Sequence, residues 1–397
     1  MQIIERDYYI SKLETWRDKQ MVKILTGIRR SGKSTIMKLY QQHLIRNGIN
    51  QNQILHLNFE DMAVEPLLDY HKLYEYVTQH LQPEVQNYLF FDEIQAVAQF
   101  ERVIDSLLLL PNVDIYITGS NAFLLSGEIA TLLSGRYIEI QVLPFSLSEY
   151  QRGMNLPLNQ LYNQYITSTS LPYTLQLTTS EAVSDYLQNI YQTIVIKDIL
   201  SRGKIQDPDL LNRILRYLSD NIGNLSSIKS ITDTLTSNGR KVSTHTVDNY
   251  VDLLCASFMF YKVFRYDVKG KEHLRTGAKY YICDIGLRNW LLGLRGGDLG
   301  HILENVVFLH LLRQGKHVMV GKVGSKEIDF VCFQNGKTEY YQVALSVRDE
   351  NVLVRELAPL NAIKDNYPKY LITLDPDPEI SHNGIVQRYA LDWLLDI

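Results

Sequence analysis

The chain has 397 residues, of which 45% are hydrophobic and 21% charged, with a formal net charge of −4. That length exceeds one compact core and calls for two or three domains, and the mild acidity excludes a polycation that binds nucleic acid through bulk charge. Cys255, Cys283 and Cys332 are too few and too scattered for a disulfide framework or a Cys-X-X-Cys zinc pair, which fits a reducing cytoplasm. The first residues are charged and carry no apolar signal core, and no stretch reaches the roughly 18 to 20 apolar residues of a membrane span. A soluble cytoplasmic protein is expected.

Short apolar runs come first in the chain: Val22–Leu25, Ile54–Phe59, Tyr88–Phe91, Val113–Thr118 and Tyr137–Val142. Each is bounded by turn or polar residues, as strands buried on both faces are. Helical patterns such as Ser34–Asn47 and Leu67–Leu81 lie between the first four. Strands alternating with helices predict an α/β fold with a doubly wound parallel sheet over residues 1–150.

The first strand runs into Gly27-Ile-Arg29-Arg30-Ser31-Gly32-Lys33-Ser34-Thr35. Gly27, Gly32, Lys33 and Ser34 match the Walker A pattern, in the strand-to-helix context that it requires. Glycines let successive N–H groups point at phosphate oxygens, and the helix behind them adds its positive end. Lys33 is the point charge for the β- and γ-phosphates, and Ser34 offers a hydroxyl to Mg²⁺. The third strand ends in Asp92 and Glu93, a Walker B arrangement. Asp92 would hold Mg²⁺ through water, and Glu93 would activate the attacking water. The pair predicts a P-loop NTPase that uses ATP and Mg²⁺.

Three further positions complete the reading. Ser120 or Asn121, after the fourth strand, would sense the γ-phosphate, since ligands sit at the C-terminal ends of strands in such sheets. Asn58, ending the second strand, would hydrogen-bond Glu93. Arg136, before the fifth strand, would reach a γ-phosphate in its own subunit or in a neighbour's, and the second option implies a homo-oligomer.

Residues 151–205 are rich in Asn, Gln, Ser, Thr and Tyr and read as a loop, then a linking helix over Glu181–Leu200. Residues 206–290 read as short helices followed by a strand pair, Phe258–Phe264 and Lys279–Cys283, around a charged turn, Tyr266–Thr276. Residues 291–397 open with a helix over Glu304–Gln314, followed by strands His317–Val320, Ile328–Phe333 and Thr338–Val343.

The loop at Gly27, Asn58-Phe-Glu-Asp, Phe-Phe-Asp92-Glu93-Ile-Gln, Thr-Gly-Ser-Asn121, Leu-Leu-Ser-Gly-Arg136 and Leu-Pro-Phe-Ser-Leu-Ser-Glu149-Tyr together resemble prokaryotic AAA-type ATPases. In that family a C-terminal domain of unknown function follows the ATPase domain. The resemblance continues through Ser243-Thr-His-Thr246, Asp284-Ile-Gly-Leu287, Glu304-Asn-Val-Val and Glu327-Ile-Asp329. It implies a AAA-like core, a winged-helix segment over 206–290 and a restriction-endonuclease-like domain over 291–397.

Residues 197–280 hold 14 Lys and Arg against 9 Asp and Glu. A helix at Ser243–Cys255 and a basic wing at Lys269–Arg275 would suit DNA, but the helix carries Asp248 and Asp252 and no Lys or Arg. A protein partner is the competing expectation. Glu304, Asp329 and Gln342 follow the order of a nuclease active site, in which the first two would bind Mg²⁺. The lysine of that pattern falls at Ala344, so a degenerate nuclease fold is expected unless Lys326 or another lysine substitutes. Three functions follow from the sequence: an ATP hydrolase, a slow nucleotide-dependent switch, or a protein with a residual nuclease.

Overall fold

The computed structural model describes residues 3–119, 133, 135–195, 199, 205, 207–293 and 296–395. The chain divides into two compact units, Met1–Pro144 with Ala256–Phe258, and Phe145–Cys255 with Met259–Ile397.

The first unit is built on five parallel strands: β1 (Val22–Thr26), β2 (Ile54–Asn58), β3 (Asn87–Asp92), β4 (Val113–Thr118) and β5 (Tyr137–Gln141). Their order across the sheet is β2-β3-β4-β1-β5. The helices α1 (Asp7–Thr15), α2 (Lys33–Arg46), α3 (Tyr70–His80) and α4 (Phe100–Leu108) accompany them. Strand alternation explains the two layers. Leu89 and Phe91 of β3 enter one core with Ile115, Ile117, Leu73, Val77 and Ile104. Tyr88 and Phe90 enter the other with Tyr116, Leu25, Ile36, Met37 and Tyr40. This is the α/β P-loop architecture that the sequence predicts. Two of the charges in its strands neutralise each other: Lys23 of β1 is ion-paired with Asp114 of β4, both fully buried, and Tyr116 Oη donates to Asp114 at 2.8 Å.

The second unit contains α5 (Leu147–Gly153), α6 (Leu158–Thr167), α7 (Ser180–Thr193), α8 (Pro208–Asp220), β6 (Leu225–Ser226), α9 (Ile228–Ser237) and α10 (Thr244–Ala256). The hairpin β7 (Phe260–Asp267) and β8 (Glu272–Ile282) follows, then α11 (Ile285–Leu292) and α12 (Leu299–Arg313). Strands β9 (His317–Val323), β10 (Lys326–Gln334) and β11 (Lys337–Ala344), helix α13 (Glu350–Asn361), strands β12 (Lys369–Thr373), β13 (Ile380–His382) and β14 (Ile385–Tyr389), and helix α14 (Ala390–Leu395) complete it. One nine-stranded sheet, β13-β14-β12-β11-β10-β9-β7-β8-β6, runs through the segments that the sequence separates at residue 290. The join is the parallel pairing of β7 with β9, Arg265 with Val320 and Asp267 with Lys322.

Two expectations change. The stretch expected as a loop after residue 151 contains α6, whose Leu161, Tyr162, Tyr165 and Ile166 are buried. Their spacing is helical, and the surrounding Asn and Gln disguise it because they occupy the outer face. The charged turn expected over Tyr266–Thr276 is mostly strand: Tyr266 pairs with His273 and Asp267 with Glu272. The reversal needs few residues because Asp267 accepts hydrogen bonds from the N–H groups of Lys269 and Gly270, at 3.0 and 3.1 Å. No described helix is long and apolar enough to cross a membrane.

Candidate nucleotide site

The site lies at the C-terminal end of β1. The chain leaves the strand through Gly27 (φ 133°), Arg30 (φ 65°) and Gly32 (φ 99°). Arg30 is a non-glycine residue in the left-handed region, where backbone strain is stored at functional loops. A Cβ on Gly27 would stand 2.2 Å from the carbonyl oxygen of Val142, so only glycine fits. Gly32 is the N-cap of α2 and has no side chain to offer, so the first turn of the helix is open to capping by an anion.

The side chains complete the cradle. Lys33 is buried and its Nζ donates to the carbonyls of Gly27 and Ile28, at 2.9 and 3.1 Å, so the ammonium lies across its own loop. Among the described residues Ser31 Oγ is buried without a hydrogen-bond partner, a polar group that a phosphate oxygen would satisfy. Arg29 stands 4.0 Å from Glu60, beyond the end of β2. The sequence reading missed Arg6. Its buried guanidinium donates to the carbonyls of Ser31 (2.8 Å) and Leu143 (2.9 Å) and lies 4.5 Å from the ring centroid of Tyr9. No motif marks it, because an arginine 25 residues upstream reads as surface charge.

The acid pair lies two strands away from β1. Thr118, ending β4, donates its hydroxyl proton to Asp92 Oδ1 and accepts from the N–H of Glu93 at 2.9 Å. Glu93 has φ 55°, so the chain turns sharply after Asp92, and Gln95 Nε2 donates to its carboxylate. Thr118 was legible as a polar residue closing a buried strand, but the sequence reading passed on to its neighbours. Asn58 is the register partner of Asp92, and its Oδ1 accepts from the N–H of Glu60 at 3.1 Å. Ser120 and Asn121 lie outside the described residues.

Arg136 lies at the other end of the sheet. It precedes β5, which runs parallel to β1 with Val22 opposite Tyr137. The P-loop follows the other end of β1, so Arg136 stands at the opposite end of the strands, roughly 20 Å from Gly27 at about 3.3 Å per residue. It pairs there with Asp105 at 2.6 Å.

In the second unit, Glu304 (α12), Asp329 (β10) and Gln342 (β11) do come together. Gln342 Oε1 accepts from the Asp329 N–H at 3.4 Å, and the Val343 N–H donates to Asp329 Oδ2 at 2.9 Å. Burial and the nearby Glu304 carboxylate push the Asp329 carboxyl above the ordinary carboxylate range, against the pull of Lys279 and the Val343 N–H. Lys326 is elsewhere, donating to the carbonyl of Ala358 at 3.3 Å.

Comparison with known proteins gives two family matches. Residues 19–151 match the family described as an AAA domain, and residues 159–298 match a domain of unknown function (DUF8612). An uncharacterized protein of Haemophilus influenzae is 38% identical over 400 residues, covering 99% of each chain. An uncharacterized protein of Methanocaldococcus jannaschii, MJ1544, is 28% identical over 91% of this chain and 82% of its own. Among solved structures, the Walker-type ATPase PABY2304 of Pyrococcus abyssi is similar at 18% identity and a TM-score of 0.48, over 73% of this chain and 96% of that one. With the P-loop, the acid pair and the parallel sheet in place, the chain belongs to the family of AAA-domain P-loop ATPases that carry a C-terminal domain of unknown function.

Proposed function

We propose that the first unit binds ATP with Mg²⁺ and hydrolyses it, and that the resulting change is passed to the second unit. The supporting observation is the Asp92–Thr118–Glu93 hydrogen-bond chain at the end of the sheet from which the P-loop springs. Gly27, Arg29, Arg30, Ser31, Gly32, Lys33, Ser34 and Thr35 cradle the phosphates. Ser34 and Asp92 would hold Mg²⁺, which supplies charge neutralisation at the phosphates. Glu93 takes a proton from the attacking water as the new bond to the γ-phosphorus forms and the bridge to the β-phosphate breaks. Lys33 offsets the charge that gathers on the leaving oxygens. Asn58 holds the turn beside Asp92, and Ser120 or Asn121 reads the γ-phosphate. Arg136 completes the site of a neighbouring copy.

The test is Glu93→Gln. ATP binding should persist while steady-state hydrolysis falls at least about 10²-fold. Hydrolysis at the wild-type rate by this variant would falsify the assignment. Single-turnover rates with and without DNA separate a hydrolase from a slow switch, which would retain ATP at an unchanged slow rate.

A helix–strand–helix–helix–hairpin order over residues 208–282 supports the winged-helix reading, and the strand meander with the α13 crossover supports the nuclease-like one. The exposed side of α10 presents His245, Asn249 and Asp252, with no Lys or Arg among them. That face favours a protein partner over duplex DNA, although Lys269 and Lys271 are exposed at the hairpin turn. Anisotropy titration with labelled duplex at low salt tests this, and binding whose affinity falls steeply with salt would reverse the preference.

A further inference from the structure

The carboxylates of Glu304, Glu327 and Asp329 converge on a cation that belongs to the chain. Lys279 of β8 places its Nζ 2.9 Å from Glu304 Oε1, 2.9 Å from Glu327 Oε1 and 3.5 Å from Asp329 Oδ1. An ammonium carries three N–H donors and no acceptor; here it donates to Glu304 Oε1 and is ion-paired with the other two carboxylates. The Lys279 side chain is 4% exposed, and its partners lie on β10 and α12, elements that follow it in the chain. Three carboxylates within 3.5 Å of one buried ammonium favour its charged form.

A divalent metal needs free carboxylate oxygens at about 2.0 to 2.6 Å. Here part of the oxygen set is already engaged by the protein. Tyr281 Oη also donates to Glu304 Oε1 at 2.7 Å, and Asp329 Oδ2 is held by the Val343 N–H. The amide of Gln342 is turned to Glu356, its Nε2 donating to Oε2 at 2.9 Å. Among the described residues, no group of three or more His, Cys, Asp and Glu side chains stands arranged to hold a metal ion. The residues do not fit the Mg²⁺ that a nuclease-like order would imply.

We propose that Lys279 is the permanent cation of this cluster: its ammonium takes the place of a divalent metal, keeps the C-terminal unit free of metal-dependent nuclease chemistry, and masks a latent divalent-cation site. The proposal stands apart from ATP hydrolysis, since every group in it belongs to the second unit.

The experiment uses the full chain, stripped with EDTA and free of nucleotide, with Mn²⁺ as the probe. Bound Mn²⁺ is read from the loss of the free-ion electron paramagnetic resonance signal, and thermal melting is followed in parallel. Wild type and Asp329→Asn should bind Mn²⁺ alike. Lys279→Met should gain one Mn²⁺ per chain and melt at a higher temperature with Mn²⁺ than without it. Adding Asp329→Asn should abolish both gains. The double variant Lys279→Met/Glu327→Gln removes one charge of each sign, so it tests the same gain with less uncompensated charge. Three results would overturn the proposal: a wild-type Mn²⁺ site that Asp329→Asn removes, a folded Lys279 variant that gains no Mn²⁺, or Mn²⁺-dependent plasmid nicking by wild type that Lys279→Met abolishes. Should neither Lys279 variant fold with or without Mn²⁺, the comparison of wild type with Asp329→Asn decides alone.

Discussion

The Arg6 guanidinium donates a 2.8 Å hydrogen bond to the carbonyl oxygen of Ser31 and thereby fixes the phosphate loop from behind. The same group holds Leu143, the residue after the Val142 carbonyl that crowds Gly27. Two turns at the C-terminal edge of the sheet are thus tied by one buried side chain. Replacing Arg6 with Met leaves both carbonyls without this donor. We expect a loss of about 3 kcal/mol in stability, since hydrogen bonds to charged groups contribute about 1.5 to 3 kcal/mol each and do not add fully. Affinity for a fluorescent ATP analogue should also fall. Arg6→Lys keeps the charge but not the fork, and should recover little of either. Urea denaturation and analogue titration measure the two effects.

Thr118 joins Asp92 to the Glu93 backbone. Thr118→Val preserves shape but removes both hydrogen bonds from buried surroundings. A destabilisation of about 1 to 3 kcal/mol is expected, with a fall in kcat larger than any change in KM. Thr118→Ser should retain most activity. Equal kinetics for Val and Ser would show that the hydroxyl has no part in holding the acid pair.

Arg136 sits at the end of the strands opposite the P-loop, and its pair with Asp105 is partly exposed. Arg136→Ala should therefore change stability by less than about 1 kcal/mol. Its ATPase activity should nevertheless fall. Mixing Arg136→Ala protein with Glu93→Gln protein should restore part of the activity. In mixed oligomers one subunit then has an intact base and its neighbour an intact arginine. Mixtures no more active than the separate proteins would exclude this trans role.

His310 gives a pH dependence. Burial, reinforced by Arg313 and Lys316, depresses its pKa well below the ordinary imidazole range. The ring packs 4.2 Å from the Trp393 centroid. The folded state therefore binds fewer protons than the unfolded state below about pH 6.5. Its contribution is fully present above that pH and is lost as pH falls, with a slope of at most about 1.4 kcal/mol per pH unit. His310→Phe should flatten this part of the profile. Urea midpoints at pH 7.5 and 5.5 for the two proteins test it.

The local sequence carried the first unit because its chemistry is local. Gly27 to Ser34 and Asp92–Glu93 are contiguous strings, and a strand buried on both faces announces itself as an apolar run such as Val113–Thr118. The nucleotide site and the α/β class follow from those strings. The rest depended on what folding brings together. Arg136 is one residue from β5 in sequence, yet parallel register carries it to the end of the strands away from the P-loop. Arg6 and Ser31 are 25 residues apart, and no periodicity links a helix N-cap to a loop carbonyl. Ala344 fills the position where the nuclease pattern expects a lysine. A lysine does reach the acids, but from β8, 25 residues before Glu304 and 50 before Asp329, because β7 pairs with β9 and brings the hairpin into the same sheet. A sequence fixes which groups are available. Long-range strand pairing decides which carboxylates must share a cation, and here that cation is Lys279.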